Sequence, residues 1–350
     1  MRILYFDIWS PLGHSVFNNI HLKALSQVGE VYTVFKEGYC KYDYPHVYHF
    51  LDVPCSYYVK GEGYYKSRWR LSRMIRWVWK RVSREKWDYI ILASYDPLAL
   101  FLSGRFKNSY VIDHNTISLL DSTRLGFPFR HLSKDIRHIV FNEDMKSRLN
   151  IMGFHNVAIV PHGFLPIEGD GFTTEDKIRI RQKYSLGWDE KIVFLPSFSI
   201  STKDVIGQYI YNDDFNDFLK AHGLKLVTKS TVNRSSKSNI IVLEGYLPQD
   251  EYNYLFLHSS CIVLFYSQSF KYRTSGVLNE CFANNIPCVF SDNPSLKAYL
   301  PYINNDTCVF SNTEELKRSI LSVIDRDNRD YFRNLEEIKD PYRAWASILQ

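Results

Sequence analysis

Thr274, Ser275 and Gly276 stand directly before the apolar run VLNECFANN, and Glu280 follows Gly276 by four residues. Thr or Ser can cap a helix N-terminus, and Gly lets backbone approach a ligand closely. The first N–H groups of such a helix are unpaired and lie at the positive end of its dipole. That arrangement suits a phosphate. The spacing puts Glu280 on the same helix face, one turn further on. A ribose attached to that phosphate would meet a carboxylate able to accept from two neighbouring hydroxyls. Asn285 suits a left-handed C-cap, with Pro287 after it. The competing reading is a solvated glutamate on an ordinary capped surface helix.

The surrounding elements explain how such a helix would be held. In the first half, the apolar runs RILYFDI, EVYTVF, WDYIILAS and SYVIDHN alternate with helical spacing, as in VFNNIHLKALSQVG. After a Gly-, Pro- and charge-rich stretch, LPIEGDGFTTEDK, the pattern restarts with KIVFLPSFSISTKD, GLKLVTKS, NIIVLEGYL, CIVLFYS and IPCVFSD. Strands spaced by helices predict parallel sheets covered on both faces. The expected fold is α/β, with two Rossmann-like doubly wound domains facing a cleft. Residues 1–165 form the first domain, 166–190 a linker and 191–335 the second domain. Residues 336–350 form a helix that packs back on the first domain. Open parallel sheets bind ligands at the C-terminal ends of their strands, and clefts between domains are favoured places for small molecules.

Composition limits the classes. The 350 residues are 45% hydrophobic and 23% charged, an ordinary globular balance, with aromatics at 16%. No apolar run approaches a membrane span, and the N-terminal run, interrupted by Asp7, lacks the pattern of a signal peptide. The six cysteines show no C-x-x-C pair or Cys/His cluster, which predicts reduced thiols and no zinc. Residues 1–170 carry a net charge of +6 and residues 171–350 a net of −1. Much of the excess lies in 66–86, which holds nine Lys/Arg and one Glu. On a helical wheel Leu71, Ile75, Val78 and Val82 form a stripe for packing on a sheet. The opposite face, with Arg70, Arg73, Arg76, Lys80 and Arg84 beside Trp69 and Trp77, suits an anionic membrane surface. No nucleic-acid recognition module is present.

SGVLNECFANNIPCVFSD resembles the donor segment of GT-B glycosyltransferases, especially the retaining family 4 type. FNEDMKSRLNIMGFHNVAIVPHGF (141–164) is similar to that family's last N-domain helix and strand, with Pro161-His162-Gly163 in place of its P-N-G turn. NIIVLEGYLPQDEYNYLFLHSSCIVLFYS (239–267) resembles its strand-turn-helix-strand unit. The resemblance implies transfer of a sugar, with retention of configuration as the family's pattern, from a nucleotide-diphosphate-sugar to a glycan or lipid-linked glycan in bacterial polysaccharide assembly. It implies a cytoplasmic enzyme, peripheral on the inner face of the membrane, with no cofactor and no metal. Glu280 would hold the ribose; Thr274, Ser275 and Gly276, with Lys203, Lys229 and Arg273, would hold the diphosphate. Gly13, His14, Asp113 and His114 would line the sugar or acceptor side. An inverting enzyme would need a base, for which Asp7, His14, Asp113 and His114 are the candidates. One departure stands out: the family's first glutamate, eight residues before the second, is Tyr272 here. The D-x-D match Asp325-Arg326-Asp327 falls in a charged run and reads as surface charge. The alternatives are a two-domain sugar-binding protein without chemistry and a GT-B-fold nucleotide-sugar epimerase.

Overall fold

The computed structural model describes residues 1–59, 61–106, 108–121, 129, 135–167, 171–196, 209–229, 236–243, 247–324 and 330–350. Lys203 and Asp325-Arg326-Asp327 lie outside the described residues. The chain divides into two compact units. The first comprises Met1–Phe164, Tyr272–Thr274 and Glu336–Gln350, and the second Leu165–Lys271 and Ser275–Leu335.

The first unit is built on seven parallel strands: β1 (Arg2–Asp7), β2 (Glu30–Lys36), β3 (Val47–Val53), β4 (Tyr89–Ser94), β5 (Tyr110–Ile112), β6 (Arg137–Val140) and β7 (Val157–Ile159). Their order is β3-β2-β1-β4-β5-β6-β7. β1 is central and buried on both faces, which is why its sequence is a continuous apolar run rather than an alternating one. The direction of strand progression reverses between β1 and β4, so their C-terminal ends, at Asp7 and Ser94, form the sheet's switch point. The second unit repeats the plan. β8 (Lys191–Leu195), β9 (Leu224–Lys229), β10 (Ile240–Leu243), β11 (Ser259–Leu264), β12 (Cys288–Ser291) and β13 (Val309–Phe310) pair in the order β10-β9-β8-β11-β12-β13. Both units are therefore Rossmann-like doubly wound α/β layers.

The segment 166–190 contains a helix, Thr174–Lys183, in the second unit. Thr173 and Asp176 form a reciprocal capping box at its start, satisfying two otherwise unpaired donors. The C-terminal helix Tyr342–Leu349 belongs to the first unit, where Trp345 is fully buried and donates its Nε1–H to His21 Nδ1 at 3.0 Å.

The basic segment forms the helix Tyr64–Val82. Leu71, Ile75, Val78 and Val82 are buried, joined by Met74. Its cations divide into two sets. Arg70 donates to the carbonyls of Tyr57 and Val59, Arg76 to those of Leu102 and Ser103, and Arg68 pairs with Asp96 at 2.9 Å. Lys66, Arg73 and Lys80 are exposed, as are Tyr65 and Trp69. Among the described residues, no helix is long and apolar enough to cross a membrane.

Candidate active site

Two clusters of the expected residues stand out, one in each unit. In the first, Asp7 ends β1 with its side chain fully buried. Asn18 Nδ2 donates to its Oδ2 at 2.9 Å, the Ser10 N–H to Oδ1 at 2.9 Å, and the Ser94 hydroxyl also to Oδ1. His14 Nδ1 lies 3.4 Å from Oδ2. Burial pushes the Asp7 carboxyl up, but the hydrogen bonds from His14, Asn18 and Ser94 outweigh it, so it titrates below the usual carboxylate range. The His14 ring stacks on His114, with centroids 4.5 Å apart. Both line a cavity of about 310 Å³ at the switch point, together with Trp9, Ser94, Tyr95 and Asn115.

Phe17 underlies this cluster, with its ring 4.2 Å from His114, 4.0 Å from His21 and 5.0 Å from His162. Burial drives His114 well below the ordinary imidazole range, reinforced by the neighbouring histidines, and its buried Nε2 has no protein partner. Burial likewise brings His162 down to about 4. Asp113 is placed differently from its neighbour. It is wholly buried and accepts from Tyr95 OH at 2.7 Å, from Thr116 Oγ1, and from His138 Nδ1 at 2.7 Å. Tyr95 and Thr116 line the cavity, so Asp113 holds the wall. Gly13 precedes His14 in a short 3₁₀ turn, and a Cβ there would meet nothing.

In the second unit, Ser275 caps the helix Gly276–Asn284, its Oγ accepting from Leu278 N at 3.1 Å. Tyr266 OH lies 2.9 Å from the same Oγ and steadies it. A Cβ at Gly276 would meet nothing within 4 Å, so the backbone at the helix start is open to a ligand. Asn285 closes the helix in the left-handed conformation, φ +53°. Glu280 is half-buried and accepts a hydrogen bond from Tyr252 OH. Burial raises its pKa, against the opposing pull of that hydrogen bond. A half-buried carboxylate with one donor retains further acceptor positions, which a pair of hydroxyls could fill.

Of the expected cations, Lys229 ends β9 and is half-buried. β9 is two places from β11 in the sheet order, with β8 between them. Arg273 is also half-buried, and burial lowers its pKa. Thr274 Oγ1 is a buried atom without a hydrogen-bond partner. Tyr272 has a positive φ of +63°, unusual for a bulky residue. Tyr272–Thr274 group with the first unit. Among the described residues, no group of three or more His, Cys, Asp or Glu is placed to hold a metal ion.

Several contributors had no local signal in the sequence. Tyr252 lies 28 residues before Glu280, and Ser94 lies 87 residues beyond Asp7. Only a model of strand order could have brought them together. Trp9 and Asn115, which line the cavity, flank the expected His14 and His114 without any distinguishing spacing.

No family model and no curated protein matches the chain. Solved structures match across almost its whole length. The UDP-GlcNAc 2-epimerase of Methanocaldococcus jannaschii superposes with a TM-score of 0.58 at 12% identity, covering 99% of each chain. The trehalose-6-phosphate synthase OtsA gives 0.61 at 9% identity, over 100% of this chain and 95% of its own. Anabaena HepE, solved in complex with UDP-glucose, gives 0.58 at 11% identity, over 100% and 94%. At these identities the likeness establishes the fold, the two-unit α/β architecture that epimerases and glycosyltransferases of the GT-B type share.

Proposed function

We propose that the protein is a nucleotide-sugar-dependent glycosyltransferase whose second unit holds the nucleotide diphosphate. The observation that carries this reading is the Ser275-capped helix, open at Gly276, with the half-buried Glu280 one turn further on. The helix N-terminus would receive the diphosphate and its growing charge as the glycosidic bond breaks. Glu280 would accept from the ribose hydroxyls. Lys229 and Arg273, and Lys203 from outside the described residues, are the cations proposed to share the charge.

The first unit would supply the acceptor side. With its Nδ1 turned to Asp7, His14 presents Nε2 as a base, and the buried carboxylate would stabilise the imidazolium that forms. The acceptor hydroxyl would lose its proton to His14, its oxygen would bond to the anomeric carbon, and the bond from that carbon to the diphosphate would break. A base of this kind, with Tyr272 where the resemblance expects a carboxylate, favours inversion over the retention the family implies. His114 would pack against the sugar as a neutral ring, and Asp113 would hold Tyr95 and Thr116 in the wall. The exposed Lys66, Arg73 and Lys80, with Tyr65 and Trp69, support contact with an anionic membrane carrying the acceptor. Incubation with nucleotide-sugars and glycan acceptors, read by mass spectrometry and by NMR of the new anomeric centre, tests this. An elongated glycan of inverted configuration is expected. Nucleotide-sugar consumed without any glycan product would sink it.

A second reading is epimerisation, favoured by the fold likeness to a UDP-GlcNAc 2-epimerase. It predicts an epimeric sugar product formed with no acceptor present.

A further inference from the structure

A second cavity in the first unit, larger than the one beside His14, lies away from that cluster, at the outer edge of the sheet. It has a volume of about 560 Å³, within the usual range for small-molecule sites of roughly 300–1,000 Å³. Its base is one face of β2 and β3, where Thr33 stands opposite His49 and Phe35 opposite Asp52. The loop after β2 covers it with Tyr39 and Tyr42.

Two features give this cavity a chemical character. Its aromatic side chains have their polar ends tied elsewhere: Tyr39 OH donates to the Pro11 carbonyl at 2.9 Å, and Tyr42 OH to the Ser15 carbonyl at 3.1 Å. The rings pack on Phe35, with centroids 5.1 and 5.7 Å away, and so form a held apolar wall. The charged lining is balanced, with Lys36 and Lys41 against Asp43 and Asp52. A phosphate would meet two carboxylates, and a purely apolar molecule would make no use of Lys41, Asp43 and Asp52, which are exposed. A neutral polyol satisfies both features, placing C–H faces on aromatic rings and hydroxyls on carboxylates and ammonium groups.

We propose that this cavity is a saccharide-binding subsite. Pro11, whose carbonyl holds Tyr39, also lines the smaller cavity beside His14. One loop thus joins the two cavities, and a glycan seated in the larger one would be registered against the base. As a saccharide site the proposal stands on this geometry; as a site for the acceptor's outer residues it rests on the transferase reading.

Cys40 lines the cavity and provides a probe, with the exposed Cys55 as an internal reference and the other four cysteines buried in the second unit. Iodoacetamide alkylation of the full chain, followed by peptide mass spectrometry, would be timed with cellotriose, chitotriose, mannotriose or inorganic phosphate. At least one trisaccharide is expected to slow Cys40 severalfold while leaving Cys55 unchanged. An Asp43→Ala, Asp52→Ala double variant should lose that protection. Unaltered Cys40 rates with every trisaccharide, protection by phosphate instead, or protection that survives the double variant would each overturn the proposal. UDP, GDP, CMP and dTDP binding, measured on the same samples, keeps the two readings apart. Nucleotide binding without Cys40 protection removes the subsite alone; Cys40 protection without nucleotide binding removes the transferase reading alone.

Discussion

His21 offers a prediction whose size follows from its surroundings. It is fully buried, its Nδ1 accepts from Trp345 Nε1 at 3.0 Å, and its Nε2 therefore carries the hydrogen shared with the His162 carbonyl at 3.2 Å. Protonating Nδ1 would set one N–H against another in a fully buried place. Burial accordingly drives the folded-state pKa well below the ordinary imidazole value of 6.5. The unfolded chain binds a proton as pH falls through about 6.5 while the folded chain does not, so the stabilising contribution is complete above that pH and is lost below it. Between pH 7.5 and 5.5 the loss from this one group is about 1 kcal/mol. Urea unfolding of wild type and His21→Gln at pH 7.5, 6.5 and 5.5 measures it. The variant is less stable throughout, but its deficit should shrink by about 1 kcal/mol at the acid end, because glutamine has no proton to take up. A deficit that stays constant with pH would refute the reasoning. Since His21 also packs on Phe17, which lies against His114, acid should loosen the cavity beside His14 and the C-terminal helix together.

Gly276→Ala should fold as well as wild type or slightly better, since a methyl there meets nothing and alanine favours the helix, yet it should weaken nucleotide binding measured by calorimetry. Tyr252→Phe removes the hydrogen bond that opposes the burial of Glu280, raising that carboxyl's pKa further. Nucleotide affinity should then weaken at a higher pH than in wild type as the acceptor carboxylate protonates, with a loss of roughly tenfold or more from a bond to a charged group. Replacing Lys66, Arg73 and Lys80 by Gln should lower co-sedimentation with phosphatidylglycerol vesicles by roughly fivefold per cation at low salt, with no change in the melting temperature.

The fold was largely legible because the central strands of parallel sheets are continuous apolar runs, and RILYFDI and CIVLFYS are such runs. The helix stripe Leu71, Ile75, Val78, Val82 was equally clear, since its 3.6-residue period has one cause. Edge elements were less visible. β3, VYHFLDV, lies at the sheet's margin and mixes Tyr, His and Asp among its apolar residues, so neither alternation nor a continuous run marks it. The helix Thr174–Lys183 hid behind the Gly- and Pro-rich residues before it, although Thr173 and Asp176 spelled its cap. At the candidate site, what spacing could reveal was local: Ser275, Gly276 and Glu280 share one helix, and His114 directly follows Asp113. The pairs Asp7–His14 and Tyr252–Glu280 depend on how loop and helix settle in three dimensions. The hydrogen bonds that Asp113 accepts from Tyr95, Thr116 and His138 had no signal in residue type, because they are a property of packing.

The central claim is that the Ser275–Glu280 segment binds a nucleotide diphosphate, and a thermal-shift panel of UDP, GDP, CMP, dTDP and their sugars on wild type and Glu280→Ala tests it most directly. Stabilisation by one nucleotide that the variant loses is the predicted result, about 2.7 kcal/mol at a hundredfold excess over Kd. No shift with any nucleotide, in a protein that melts cooperatively, would contradict it.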